Sequence, residues 1–79
     1  MKENLTIAQA FGKSLREVRR EARLSQPTLA DRANLDRTFI SQMERGIRQP
    51  TITTLFKLAD GLERTPDELV RRAREKYRA

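Results

Sequence analysis

Cysteine, histidine and tryptophan are all absent from the 79 residues. Without cysteine there is no disulfide framework, no thiolate zinc site and no thiol nucleophile. Without histidine the usual general base and the commonest metal ligand are missing. Aromatic residues amount to 5 % of the chain, and glycine and proline to three each. No apolar run approaches the ~20 residues of a membrane-spanning helix, and the start, Met1-Lys2-Glu3-Asn4, is polar and unlike a targeting segment. A cytoplasmic location and no membrane partner are the expectation. A chain this short makes one domain, spanning residues 1–79, and buries only about 60–65 % of the surface it exposes when unfolded. Carboxylates and amines alone remain for catalysis, in a chain barely able to enclose a pocket. No catalytic residue, no metal, no cofactor and no small-molecule ligand are therefore expected, and an enzyme is disfavoured.

Positive charge is what the chain has in excess. Seventeen Lys and Arg against eleven Asp and Glu leave a formal charge of +6, mostly from Arg. The planar guanidinium suits bidentate contact with phosphates and guanine edges, so a polyanion partner stands beside the plainer reading of a basic soluble protein.

The apolar pattern is helical throughout. Thr6 precedes a series at Ala8, Phe11, Leu15, Val18 and Ala22, and Gln9 completes a capping box with it. Gly12 weakens this first helix slightly. Ser25 caps a second piece that tolerates Pro27 in its first turn and ends near Ala33, with Leu24 placed to staple onto Leu29. Asn34 suits a left-handed turn position, and Asp36 caps a third helix that runs to about Arg45, where Gly46 stops it. Pro50-Thr51 opens a fourth piece with Ile52, Leu55, Leu58, Ala59 and Leu62 on one face and Gly61 as its stop. Thr65-Pro66-Asp67-Glu68 starts a fifth, carrying Leu69, Val70, Ala73 and Tyr77, with cap, first-turn proline and acids together. Capping accounts for Asp67 and Glu68 without any catalytic pair. The basic run Arg71-Arg72-Arg74-Lys76-Arg78 reads as a solvated helix end. With no alternating β-branched run, the expected fold is all-α: five short helices and no strand.

The stretch from Ser25 to Gly46 is the most specific. Two short helices joined by a three-residue turn must cross steeply, which asks for a small residue at Ala30, a turn residue at Asn34, and apolar contacts from Leu29, Ala33, Leu35, Ile40 and Met43. All stand at the required offsets. This stretch resembles the helix-turn-helix, about residues 25–45, of the lambda-repressor/Cro-like (Xre-type) DNA-binding family. Leu24-Ser25-Gln26, Glu44-Arg45-Gly46 and Pro50-Thr51 through Gly61-Leu62 extend the likeness over most of the chain. Asn34-Leu35-Asp36-Arg37-Thr38-Phe39-Ile40-Ser41 with Glu44-Arg45 is similar to the small controller proteins of restriction–modification systems. The departures are Asn34 where the family usually has glycine, and Pro27 and Thr28 where it usually has acids.

The resemblance implies a transcriptional regulator that binds double-stranded DNA. The helix from Arg37 to about Met43 would be its recognition helix, with Arg37, Thr38, Ser41 and Gln42 toward base edges. Arg37 can pair with guanine O6 and N7, Gln42 with adenine or guanine edges, and Thr38 offers a methyl or a hydroxyl. An ordinary solvated face is the competing reading, and for Arg37 a pairing with Asp36. Phe39 either touches a thymine methyl or packs at the core edge. Gln26 and Ser25, at the start of the second helix, and Arg45 and Arg48, flanking Gly46, are implied phosphate contacts. An ion pair between Arg19 and Glu44 is implied as architecture. A single recognition helix reads few base pairs, so a homodimer on an inverted-repeat operator is expected. Its pairing surface is expected in the C-terminal half, at Phe56 and along the helix of about residues 66–76 through Leu69, Val70 and Ala73. The alternative is an antitoxin-like protein that neutralises a toxin and autoregulates its operon.

Overall fold

A side-chain oxygen waits at the start of each of the first four helices. The Thr6 hydroxyl accepts from the Gln9 amide at 3.1 Å while the Gln9 side chain accepts from the Thr6 amide at 3.0 Å, closing the capping box of α1 (Ile7–Glu21). Ser25 accepts from the Thr28 amide at the head of α2 (Gln26–Ala33), and Asp36 from that of Thr38 at the head of α3 (Arg37–Glu44). Thr51 accepts from the Thr54 amide at the head of α4 (Ile52–Leu62). The last element, α5 (Pro66–Arg78), begins with proline at its first position and Asp67 and Glu68 in its first turn. The computed structural model describes residues 4–78, and among these no residue is in a strand. Met1, Lys2, Glu3 and Ala79, counted above in the polar start and the single unit 1–79, lie outside the described residues.

The four helix ends repeat one device. Arg23, Asn34, Gly46 and Glu63 each take a left-handed backbone with φ of 60°, 55°, 73° and 55°. The amide of the next residue then reaches back along the helix, as Leu24 to the Arg19 carbonyl and Leu35 to that of Ala30. Glu63, not Gly61, ends the fourth helix. Gly61 is instead buried at the crossing of α4 with α2, where a Cβ would stand 3.1 Å from the Leu29 side chain.

The core is built from Leu15 and Val18 of α1, Leu29 of α2, Ile40 and Met43 of α3, Leu58 of α4 and Leu69 of α5, all fully buried. Helix α1 packs on α5 and α3, and α2 packs on α3 and α4. Two expected stripe positions differ. Ile52 is 71 % exposed because it sits in the first turn of α4, beyond the reach of the core, and Ala10 rather than Ala8 is fully buried. Gly12 is no mere weakness in α1. A Cβ there would overlap the Met43 carbonyl oxygen and stand 2.8 Å from that of Glu44, so α1 and α3 meet backbone to backbone.

The basic end of α5 is not simply solvated. Arg72 reaches both Glu17 and Glu21 of α1, at 2.8 and 2.7 Å, and also Glu68 at 3.0 Å. Lys76 meets Glu17 at 3.1 Å, and Arg64 joins Glu21 to Glu68. Glu17 and Glu21 lie one turn apart on the face of α1 that meets α5, opposite Glu68, Arg72 and Lys76 at the same spacing. Glu68 therefore serves this seam as well as the first turn. Hydrogen bonds from Arg72 hold the Glu17 and Glu21 carboxyls below their ordinary range, and those same bonds raise the Arg72 guanidinium. No described helix is long and apolar enough to cross a membrane.

Candidate nucleic-acid interface

Helices α2 and α3 are joined by Asn34, Leu35 and Asp36. Asn34 supplies the left-handed reversal, and Ala30, 3 % exposed, gives the room for the crossing. Leu35 and Phe39 pack partly buried against the core, with Ile40 and Met43 wholly inside it. Helical period then fixes what α3 presents on its other side. Arg37 and Thr38 are exposed, and Ser41 and Gln42 are half-buried on the same arc.

A buried polar joint locks α3 in place. Arg19 donates from Nε to Glu44 Oε2 at 2.6 Å and from Nη2 to Oε1 at 2.9 Å, a two-pronged pair with side chains only 11 % and 3 % exposed. The third guanidinium nitrogen donates to the Leu24 carbonyl at 2.9 Å. Gln26 adds its amide nitrogen to Glu44 Oε1 at 3.0 Å, so α1, α2 and α3 converge on one carboxylate. The hydrogen bond from Arg19 to Glu44 raises the guanidinium pKa further, keeping it charged.

Past α3 the chain is equally constrained. Gly46 turns with φ 73° against Gln9 of α1, where a Cβ would stand 2.8 Å from the Gln9 side chain. The Gln42 carbonyl accepts from the amides of Ile47 and Arg48. Arg45 and Arg48 are exposed on this loop, and the Arg48 guanidinium lies over the Phe39 ring, 5.0 Å from its centroid. Arg37 does not pair with Asp36, whose carboxylate accepts from the Thr38 amide at 2.7 Å. Among the described residues Arg37, Arg45 and Arg48 have no acidic partner within ion-pair distance. Of the neighbouring acids, Glu44 is paired with Arg19 and Asp36 caps α3 without an ion pair, so three guanidinium groups outnumber one carboxylate on this face while the α1–α5 seam cancels its own charge.

The start of α2 offers less than four open amides. Pro27 has no N–H, the Thr28 amide is taken by Ser25 Oγ, and the Ser25 hydroxyl donates to Thr28 Oγ1 at 2.9 Å. Ser25 is thus the cap of α2, with its hydroxyl bonded to that of Thr28.

A separate patch of the surface is apolar. Phe56 and Val70 are 54 % and 50 % exposed, but Leu69 is wholly in the core and Ala73 nearly so. Leu69 is removed from the expected pairing surface, because its side chain is wholly packed within this chain, whereas Ala73 lines the grooves beside Val70. Ile7, Ile52, Val70 and Tyr77 stay exposed along two adjoining grooves between α5 and the starts of α1 and α4. Ile52 counts with the apolar face of the fourth helix, since a first-turn apolar residue looks like core by period, and Ile7 lies outside the stripe of the first.

A helix-turn-helix family model matches residues 15–69. The control protein C.MunI of a Mycoplasma species is 40 % identical over 60 residues, which is 75 % of this chain and 81 % of that protein. An uncharacterized HTH-type transcriptional regulator of Sinorhizobium fredii, y4dJ, is 37 % identical over 66 residues, or 84 % of this chain and 86 % of that one. Among solved structures, the restriction-modification controller protein C.AhdI of Aeromonas hydrophila aligns with a TM-score of 0.77 at 42 % identity, over 78 % of this chain and 94 % of its own. The matched residues run from the second half of α1 into α5 and take in the Arg19–Glu44 joint, both helices of the motif and the loop after them. The chain belongs to the Xre-type helix-turn-helix family of DNA-binding transcriptional regulators, not to a family of enzymes.

Proposed function

We propose that this protein recognises an inverted-repeat operator as a homodimer, with α3 of each copy in the major groove, and that it controls a restriction–modification system. The likeness to C.MunI and C.AhdI supports the controller assignment. The observation that carries DNA recognition is the unneutralised trio Arg37, Arg45 and Arg48 on a helix and loop held rigid from three sides. Arg37 reads guanine, and Thr38, Ser41 and Gln42 complete the base-facing arc. Arg45 and Arg48 hold phosphates. Gln26 spends one amide N–H on Glu44 and turns the other, with its backbone N–H, to a phosphate. The second copy covers Phe56 and Val70, with Ile7, Ile52 and Tyr77 beside them. Such a pair sets its recognition helices about 34 Å apart on successive major grooves. Binding requires no small molecule or cofactor, and DNA as partner places the protein in the cytoplasm.

Selection of bound duplexes from a random pool tests this. The expected product is an inverted repeat with half-sites about one helical turn apart. Arg37→Ala should relax the base preference at one position per half-site, by about 1–3 kcal/mol. Affinity should fall roughly 10³- to 10⁵-fold between about 50 and 200 mM salt if 6–10 phosphates are neutralised. Enrichment of no sequence, or a monomer bound to a lone half-site, would overturn the proposal.

A further inference from the structure

The stacked pair Phe39 and Arg48 joins residues from two different elements. Phe39 is on α3, partly buried against the core. Arg48 is in the loop beyond Gly46, and its guanidinium lies over the Phe39 ring. The backbone on both sides is fixed, because the Arg48 amide is held by the Gln42 carbonyl one turn along α3 from Phe39. Together with Asp36, Thr38 and Gln42 the pair lines a shallow concavity on the face that α3 presents. Asp36 is the acid of that concavity, and it is occupied with the Thr38 amide instead of Arg48.

We infer that Phe39 is a positioning residue for DNA binding, one that touches no DNA and acts by holding the Arg48 guanidinium in a single orientation toward a backbone phosphate. This rests on the proposed phosphate contact of Arg48. An exposed arginine has many rotamers, and a phosphate contact must select among them. An aromatic face beneath the guanidinium makes that selection before DNA arrives, while leaving the N–H edge free to donate. Leucine at position 39 would still fill the core edge but offers no π face.

The test is a double-mutant cycle on a duplex selected from a random pool, with an unrelated duplex alongside. Arg48→Ala should weaken binding to both duplexes and lower the slope of log affinity against log salt by about 0.9 per copy. Phe39→Leu should weaken both by about 2- to 5-fold. In the Arg48→Ala background Phe39→Leu should have no further effect, and Phe39→Tyr should bind like the parent. Two results overturn the inference alone: a Phe39→Leu loss that persists without Arg48, as direct contact or damaged folding would give, or a Phe39→Tyr variant as weak as Phe39→Leu. If Arg48→Ala itself leaves affinity and salt slope unchanged, the phosphate role of Arg48 fails, and the positioning role falls with it.

Discussion

Replacing Glu44 with alanine strands a charge. Its carboxylate, 3 % exposed, is the partner of two Arg19 nitrogens and of the Gln26 amide. Arg19 would be left with the Leu24 carbonyl as its remaining acceptor, in a site that leaves 11 % of its side chain to water. Breaking one side of a buried pair typically costs about 3–5 kcal/mol, and the residual exposure of Arg19 places this case near 3. For a chain of this size each kcal/mol moves the melting temperature about 4–8 °C, so Glu44→Ala should melt roughly 12–24 °C lower. Glu17→Ala is the control. Its carboxylate also binds two cations but is 44 % exposed, and a surface pair contributes only about 0.2–1 kcal/mol. Thermal melts followed by circular dichroism, with urea titrations at fixed temperature, measure both. Replacing the pair together, as Arg19→Met with Glu44→Leu, should recover much of the loss because no unpaired charge remains. If Glu44→Ala and Glu17→Ala melt within about 4 °C of each other, the buried joint does not hold α3 as described.

Gly12→Ala should destabilise by about 1–2 kcal/mol in urea titration despite a helix-propensity gain of about 1, because the new methyl meets the Met43 and Glu44 carbonyls, which are backbone and cannot swing aside. A more stable variant would show that α1 and α3 do not meet there. Glu63→Gly should raise stability by about 0.5–1 kcal/mol by relieving a left-handed backbone, since the pairing of Glu63 with Arg32 is long and exposed; an unchanged melting temperature counts against strain at that helix end. Glu17 and Glu21 are held below the glutamate value of 4.5 chiefly by Arg72, so folding opposes their protonation. Their stabilisation is whole above that value and disappears as pH falls through the depressed range. Melting temperature should therefore drop between about pH 5 and 3, and Arg72→Leu should flatten that drop; parallel pH profiles would refute the seam.

The helices themselves were legible because their signals are local. Thr6 with Gln9, Ser25, Asp36 and Thr51 each bind an amide two or three residues ahead, a relation written into adjacent sequence. Asn34 and Gly46 likewise announced two of the turns. Glu63 and Arg23 did not, because a left-handed arginine or glutamate is imposed by the packing of the next residue and has no compositional mark. Period also told which α3 residues turn outward, since burial of Ile40 and Met43 leaves one arc for Arg37, Thr38, Ser41 and Gln42.

The sequence by itself determined five capped helices, a turn at Asn34 and an excess of guanidinium groups. Only the tertiary structure decided which of those groups stay free. Arg72 and Arg37 are alike in composition, yet one is engaged by Glu17 and Glu21 across the α1–α5 seam and the other faces solvent. The same holds for apolar residues: Leu69 and Val70 are neighbours, but one closes the core and the other stays half exposed. Whether a charge is cancelled or a side chain covered depends on residues dozens of positions away, and that distance is closed only when the chain folds.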